Sequence, residues 1–129
     1  MIPKHVSEAS FQTRQMKEIG IQEIEKKHDE FQQACKTILP KVDHKLIEDL
    51  LRQQEDSEAT PSMFTIEVFT KKGLDTQKMK DWIWNKAGQM PVVDGTHYTI
   101  KHTLTLAMLK EISDPDFVLN ITGSYAGPY

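Results

Sequence analysis

A chain of 129 residues has room for one domain, or for one small domain with an appendage. Apolar residues (AVILMFWYC) make up 38% and charged residues 27%, a low apolar share for a single compact core but too high for a disordered chain. Sixteen Lys and Arg against 19 Asp and Glu leave a net charge of −3, which argues against a surface built to neutralise phosphate backbones. The apolar runs are only a few residues long, so no membrane span and no membrane partner is predicted. The opening MIPKHVSEASFQ lacks the apolar core of a signal peptide, and a lone cysteine cannot close an internal disulfide. Both features predict a reducing, cytoplasmic setting.

In chain order, the first half reads as helix. Residues 1–62 carry nine basic against twelve acidic side chains, whereas 63–129 carry seven of each. Ser7 is a candidate cap, since its side-chain oxygen can accept from a free first-turn amide. Ile21, Ile24, His28, Phe31, Cys35 and Ile38 then step by 3, 4, 3, 4 and 3, laying one coiled-coil-like seam along the helix. Pro40 ends it, because proline has no amide to donate and pushes the preceding residue out of the helical region. A second amphipathic helix follows, with Val42, Leu46, Ile47, Leu50 and Leu51 on one face and Lys45, Glu48, Asp49 and Arg52 on the other. The stretch QQEDSEATPS from Gln53 to Ser62 has no large apolar residue and reads as a linker.

The second half changes period. Met63–Thr70 is rich in β-branched and aromatic residues and reads as a strand. Lys71-Lys72-Gly73 turns the chain, Asp75 caps a helix with Leu74 and Met79 as a hydrophobic staple, and Gly88 closes it. Met90–Val93 and Thr96–Thr103 form a hairpin about Asp94-Gly95, Leu104–Ser113 a helix stopped at Asp114-Pro115, and Phe117–Thr122 the last strand. The predicted fold class is therefore α+β. A helix–Pro–helix arm (1–55) and a linker (56–62) precede a ferredoxin-like βαββαβ domain (63–123), an antiparallel four-stranded sheet with two helices on one face. A tail (124–129) follows.

Alternation along the strands assigns two sheet faces. One holds Phe64, Ile66, Val68, Tyr98, Ile100, His102, Leu104, Phe117, Leu119 and Ile121 and should lie under the helices. The other holds Thr65, Glu67, Phe69, His97, Thr99, Lys101, Thr103, Val118, Asn120 and Thr122, with Glu67 and Lys101 expected to pair across the central strands. RNA-binding sheets of this order expose aromatic residues at the centre of the free face. Thr, Glu and Lys stand there instead, so no nucleic-acid partner is expected.

No catalytic constellation emerges. His97 and His102 are an odd number apart on one strand and point to opposite faces, and no metal-ligand spacing occurs, so neither metal nor cofactor is expected. Cys35 sits in the seam, where a small buried hydrophobe is the ordinary reading. Lys71, Lys72, Gly73, Asp75 and Thr76 set two positive charges beside free helix amides, a weak anion or small-ligand site. Trp84 is rotated away from the apolar stripe of its helix, among Gln77, Lys80 and Asp81, as an exposed interface anchor would be.

The sequence thus favours a non-catalytic protein-interaction module, a homo-oligomer or a small accessory subunit of a larger enzyme or complex. Its expected interface comprises Ile21, Ile24, His28, Phe31, Cys35, Ile38, Leu46, Leu50 and Trp84. An ACT-like regulatory domain using the Lys71–Thr76 turn is the alternative, by analogy of fold. A small dimeric enzyme with His97 or His102 as acid or base is the third reading.

Overall fold

The computed structural model describes the backbone of residues 4–56 and 62–128, with side chains over 18–54 and 62–127. In chain order the elements are α1 (Lys4–Ile38), α2 (His44–Asp56), β1 (Ser62–Thr70), α3 (Thr76–Ala87), β2 (Val92–Asp94), β3 (His97–Thr103), α4 (Leu106–Ser113) and β4 (Val118–Pro128). They fall into two compact units, residues 1–34 and 35–129. The division therefore lies within α1 and not at the expected linker, of which 57–61 lie outside the described residues.

The first unit is the N-terminal part of α1. The helix already runs at Lys4, three residues before Ser7, so Ser7 is not its cap. Residues 18–30 are exposed on every side of the helix.

The second unit is an α+β domain around a four-stranded antiparallel sheet in the order β2-β3-β1-β4. β1 is central and alternates as the sequence predicts: Phe64, Ile66, Val68 and Thr70 are buried, while Thr65, Glu67 and Phe69 are only half-buried. Tyr98 and Ile100 of β3 and Ile121 of β4 lie on the buried side. Asp75 caps α3 by accepting from the Lys78 amide at 2.9 Å, and Gly88 ends it in the left-handed conformation at φ +76°. The hairpin turns on Gly95-Thr96, one residue later than expected, because Asp94 still pairs with His97.

Three features depart from the sequence reading. First, α2 belongs to this domain. Residues 41–43 lie along β4, where the Asp43 amide donates to the Ile121 carbonyl at 2.9 Å and the Ile121 amide to the Lys41 carbonyl at 2.8 Å. Val42 thereby turns inward, and α2 buries Leu46 (0% exposed), Ile47 and Leu50 (2%) in the same core. Leu46 and Leu50, expected at an interface with a partner, are sealed within their own domain. The sequence shows an apolar stripe but not which surface covers it. Second, β4 continues through the expected tail to Pro128, paired with β1 as far back as Ser62. Third, β4 carries a bulge. Asn120 opposes Phe69 and Val118 opposes Thr70, leaving Leu119 without a partner. Val118 and Ile121 consequently both point into the core, and Leu119, expected inside, is 53% exposed.

Gly123 makes the approach of α2 possible. A Cβ there would lie 2.6 Å from the Thr65 carbonyl oxygen and 3.2 Å from Leu46 Cδ1. Only a residue without a side chain fits between β1 and α2. Replacing Gly123 with Ala should therefore cost about 1–3 kcal/mol through overpacking. Leu46→Ala should cost about 2–5 kcal/mol through the cavity it leaves. Urea denaturation of both variants against the parent chain measures these losses.

Candidate functional site

The expected interface seam divides between exposure and burial. Ile21 (56% exposed), Ile24 (69%) and His28 face solvent, and Gln32 Nε2 lies 3.3 Å from His28 Nε2 one turn on. Ile19 is exposed as well. Phe31 is half-buried. In the second unit Cys35 is buried and Ile38 exposed. Four of the nine predicted interface residues (Ile21, Ile24, His28 and Ile38) are thus open along α1, and Trp84 is a fifth exposed one, elsewhere on α3.

Trp84 is 50% exposed, whereas Met79, Ile83 and Ala87 carry the buried stripe of the same helix. The other indole, Trp82, packs edge-on against Phe117 with ring centroids 5.1 Å apart. The difference follows from rotation about the helix axis, roughly 100° per residue.

The turn read as an anion site lacks half of what it needs. Lys71, Lys72 and Thr76 are exposed, and Gly73 takes φ +85°. Asp75, however, already bonds a first-turn amide of α3 and places its own negative charge there. The adjoining hollow of about 260 Å³ is lined mostly by Leu74, Met79, Trp82 and Phe117, an apolar wall with no further cation than Lys78.

The open sheet face holds a polar constellation that sequence reading missed. Register places Glu67 opposite Thr99 on β3 and Thr122 on β4, and Phe69 opposite His97. The Thr122 hydroxyl donates to Glu67 Oε2 at 3.2 Å, and His97 Nε2 lies 3.4 Å from Glu67 Oε1 and 3.4 Å from Thr99 Oγ1. The imidazole stacks on Phe69, centroids 4.6 Å apart and planes 7° from parallel. A carboxylate that fixes one ring nitrogen orients the imidazole for proton exchange at the other. The expected Glu67–Lys101 pair is corrected, since Lys101 stands opposite Thr65. The faces of the individual residues were readable from alternation; the β1–β3 and β1–β4 registers join strands that no short turn connects, so no local signal fixes them.

His102 lies on the other face, its Nδ1 3.2 Å from the Thr103 carbonyl oxygen. Among the described residues no three His, Cys, Asp or Glu side chains come together to hold a metal ion, and no helix is long and apolar enough to cross a membrane. No protein family, curated protein or solved structure matches this chain.

Cys35 is a packing residue. Burial pushes its thiol above the ordinary cysteine value, and the neighbouring Glu48 carboxylate adds to the shift, since both disfavour thiolate. The folded protein should therefore react slowly with iodoacetamide near neutral pH. Glu48→Gln removes one of the two causes, so the midpoint of the alkylation-rate profile should move to lower pH. Stopped-time alkylation read by mass spectrometry checks both outcomes.

Proposed function

We propose that this chain is a non-catalytic protein-interaction module that self-associates through α1, on a folded base of ferredoxin-like type. The fold assignment draws on the antiparallel order β2-β3-β1-β4 and the β1-α3-β2-β3-α4-β4 succession. The functional reading rests on one observation: Ile21 and Ile24, three residues apart on the seam of α1, both stand exposed.

Charge selects the occupant. With Ile21 and His28 at seam position a, Glu25 falls at e and Lys27 at g. Two antiparallel copies centred on this stretch would set Lys27 against Lys27 and Glu25 against Glu25. A parallel pair sets Lys27 against Gln32 and Glu25 against Gly20, with no like charges facing. The free seam is short, because Cys35 is already buried in the second unit. The association is accordingly weak, on the order of 10–100 µM, as suits a small interface. Trp84 supplies a second, separate contact if the chain is an accessory subunit of something larger.

The regulatory-domain reading has less support, because Asp75 already accepts from the Lys78 amide and places its own negative charge where a bound anion would sit. The enzyme reading draws on the Glu67–His97 contact, but that contact lies on an open sheet face.

Sedimentation equilibrium over rising concentration tests the proposal. The parent chain should show a reversible monomer–dimer equilibrium, and the double variant Ile21→Lys, Ile24→Lys should remain monomeric with unchanged melting temperature. A parent chain that is strictly monomeric at its highest soluble concentration overturns it.

A further inference from the structure

Beside the bridge that ties residues 41–43 to β4 lies a groove of about 320 Å³, lined by Pro40, Lys41, Asp43, Leu119, Asn120 and Thr122 among others. That volume falls at the lower end of small-molecule sites. Its shape comes from the bulge: Leu119, displaced from the β4 ladder, points outward and with Pro40 makes an apolar wall. Bulges recur beside functional sites because they re-aim a side chain in this way. Val42 faces the core, so Lys41 and Asp43, its neighbours in the same extended segment, face the opposite way, as do Asn120 and Thr122.

The polar lining is rich in acceptors. Thr122 gives its hydroxyl proton to Glu67, leaving oxygen lone pairs to accept from elsewhere. Asn120 adds an amide oxygen. Lys41, the one cation of the lining, donates to the Pro115 carbonyl at 2.8 Å and is held there. Among the described residues no hydrogen bond or ion pair engages the Asp43 carboxylate, which stands at the start of α2, where the Ile47 amide bonds the Asp43 carbonyl. A negative charge is favoured at that end of a helix, and its presence repels a second anion.

We propose that this groove binds a small organic amine: an ammonium group held by Asp43, Thr122 and Asn120, on a short apolar stem lying against Leu119 and Pro40. Glu67, one hydrogen bond behind Thr122, adds to the negative potential that draws the cation in.

Butylammonium chloride is the probe, with sodium butyrate as a control of equal stem length and opposite charge, followed by ¹H–¹⁵N correlation spectra of the full chain. Saturable shifts at Asp43, Asn120 and Thr122 with butylammonium but not with butyrate are expected. Asp43→Asn, nearly isosteric at an exposed side chain that makes no hydrogen bond among the described residues and so neutral to the fold, should weaken binding about tenfold or more, the loss expected for a hydrogen bond to a charged group. Asp49→Asn, on α2 but outside the groove, should leave it unchanged. Shifts that fail to saturate, that butyrate reproduces, or that survive Asp43→Asn overturn the proposal. The α1 reading is untouched by any of these outcomes, since no residue of the groove belongs to that helix.

Discussion

The close seating of α2 on β4 is the constraint from which most of the structure follows. It needs two things at once: a bare Cα at Gly123 and a chain held parallel to β4 by the Lys41–Ile121–Asp43 hydrogen bonds. Together they turn Val42 inward, bring Leu46, Ile47 and Leu50 into the core, and make α2 part of the domain. They also cover part of an edge strand whose free amides and carbonyls would otherwise invite foreign pairing. Among the described side chains of the N-terminal region Ile19, Ile21, Ile24 and Ile38 remain exposed, and the interaction proposal is correspondingly narrower than the sequence alone suggests.

The sheet separates packing from polarity by alternation. Every large apolar side chain of β1 on the helix side is sealed, and the opposite side gathers Glu67, His97, Thr99 and Thr122 around one stacked ring pair. Cross-strand contacts of this kind each contribute modestly, but they share partners and so fix the register of three strands. The β4 bulge at Leu119 is one of two breaks in the β1–β4 register, the other falling at Ala126. The break at Leu119 lets Val118 and Ile121 both face inward and at the same stroke turns Leu119 out beside the edge groove.

Much of the domain was legible in the residues, because local chemistry decides it. The alternation of Met63–Thr70, the Asp75 cap, the Gly88 stop and the polar setting of Trp84 are each set by a few neighbouring positions. What was not legible depends on distant partners. The stripe of α2 carries the same pattern whether it is covered by its own sheet or by another protein. The sequence Gly-Ser-Tyr-Ala-Gly-Pro looks like a loose tail until β1 is there to pair with it. The Glu67–His97 contact and the groove beside Asp43 depend on register and on a bulge, neither of which leaves a mark in the local sequence.

The hydrogen bond between Glu67 and Thr122 joins positions 55 residues apart, and the whole β1–β4 ladder has comparable reach. Loop closure of that length makes sheet formation slow relative to helix formation. During synthesis the central strand would emerge well before β4, leaving Phe64, Ile66 and Val68 uncovered on that side until β4 follows. During that interval β1 offers an unpaired edge and an apolar face, the two features that make partly folded chains prone to wrong pairing.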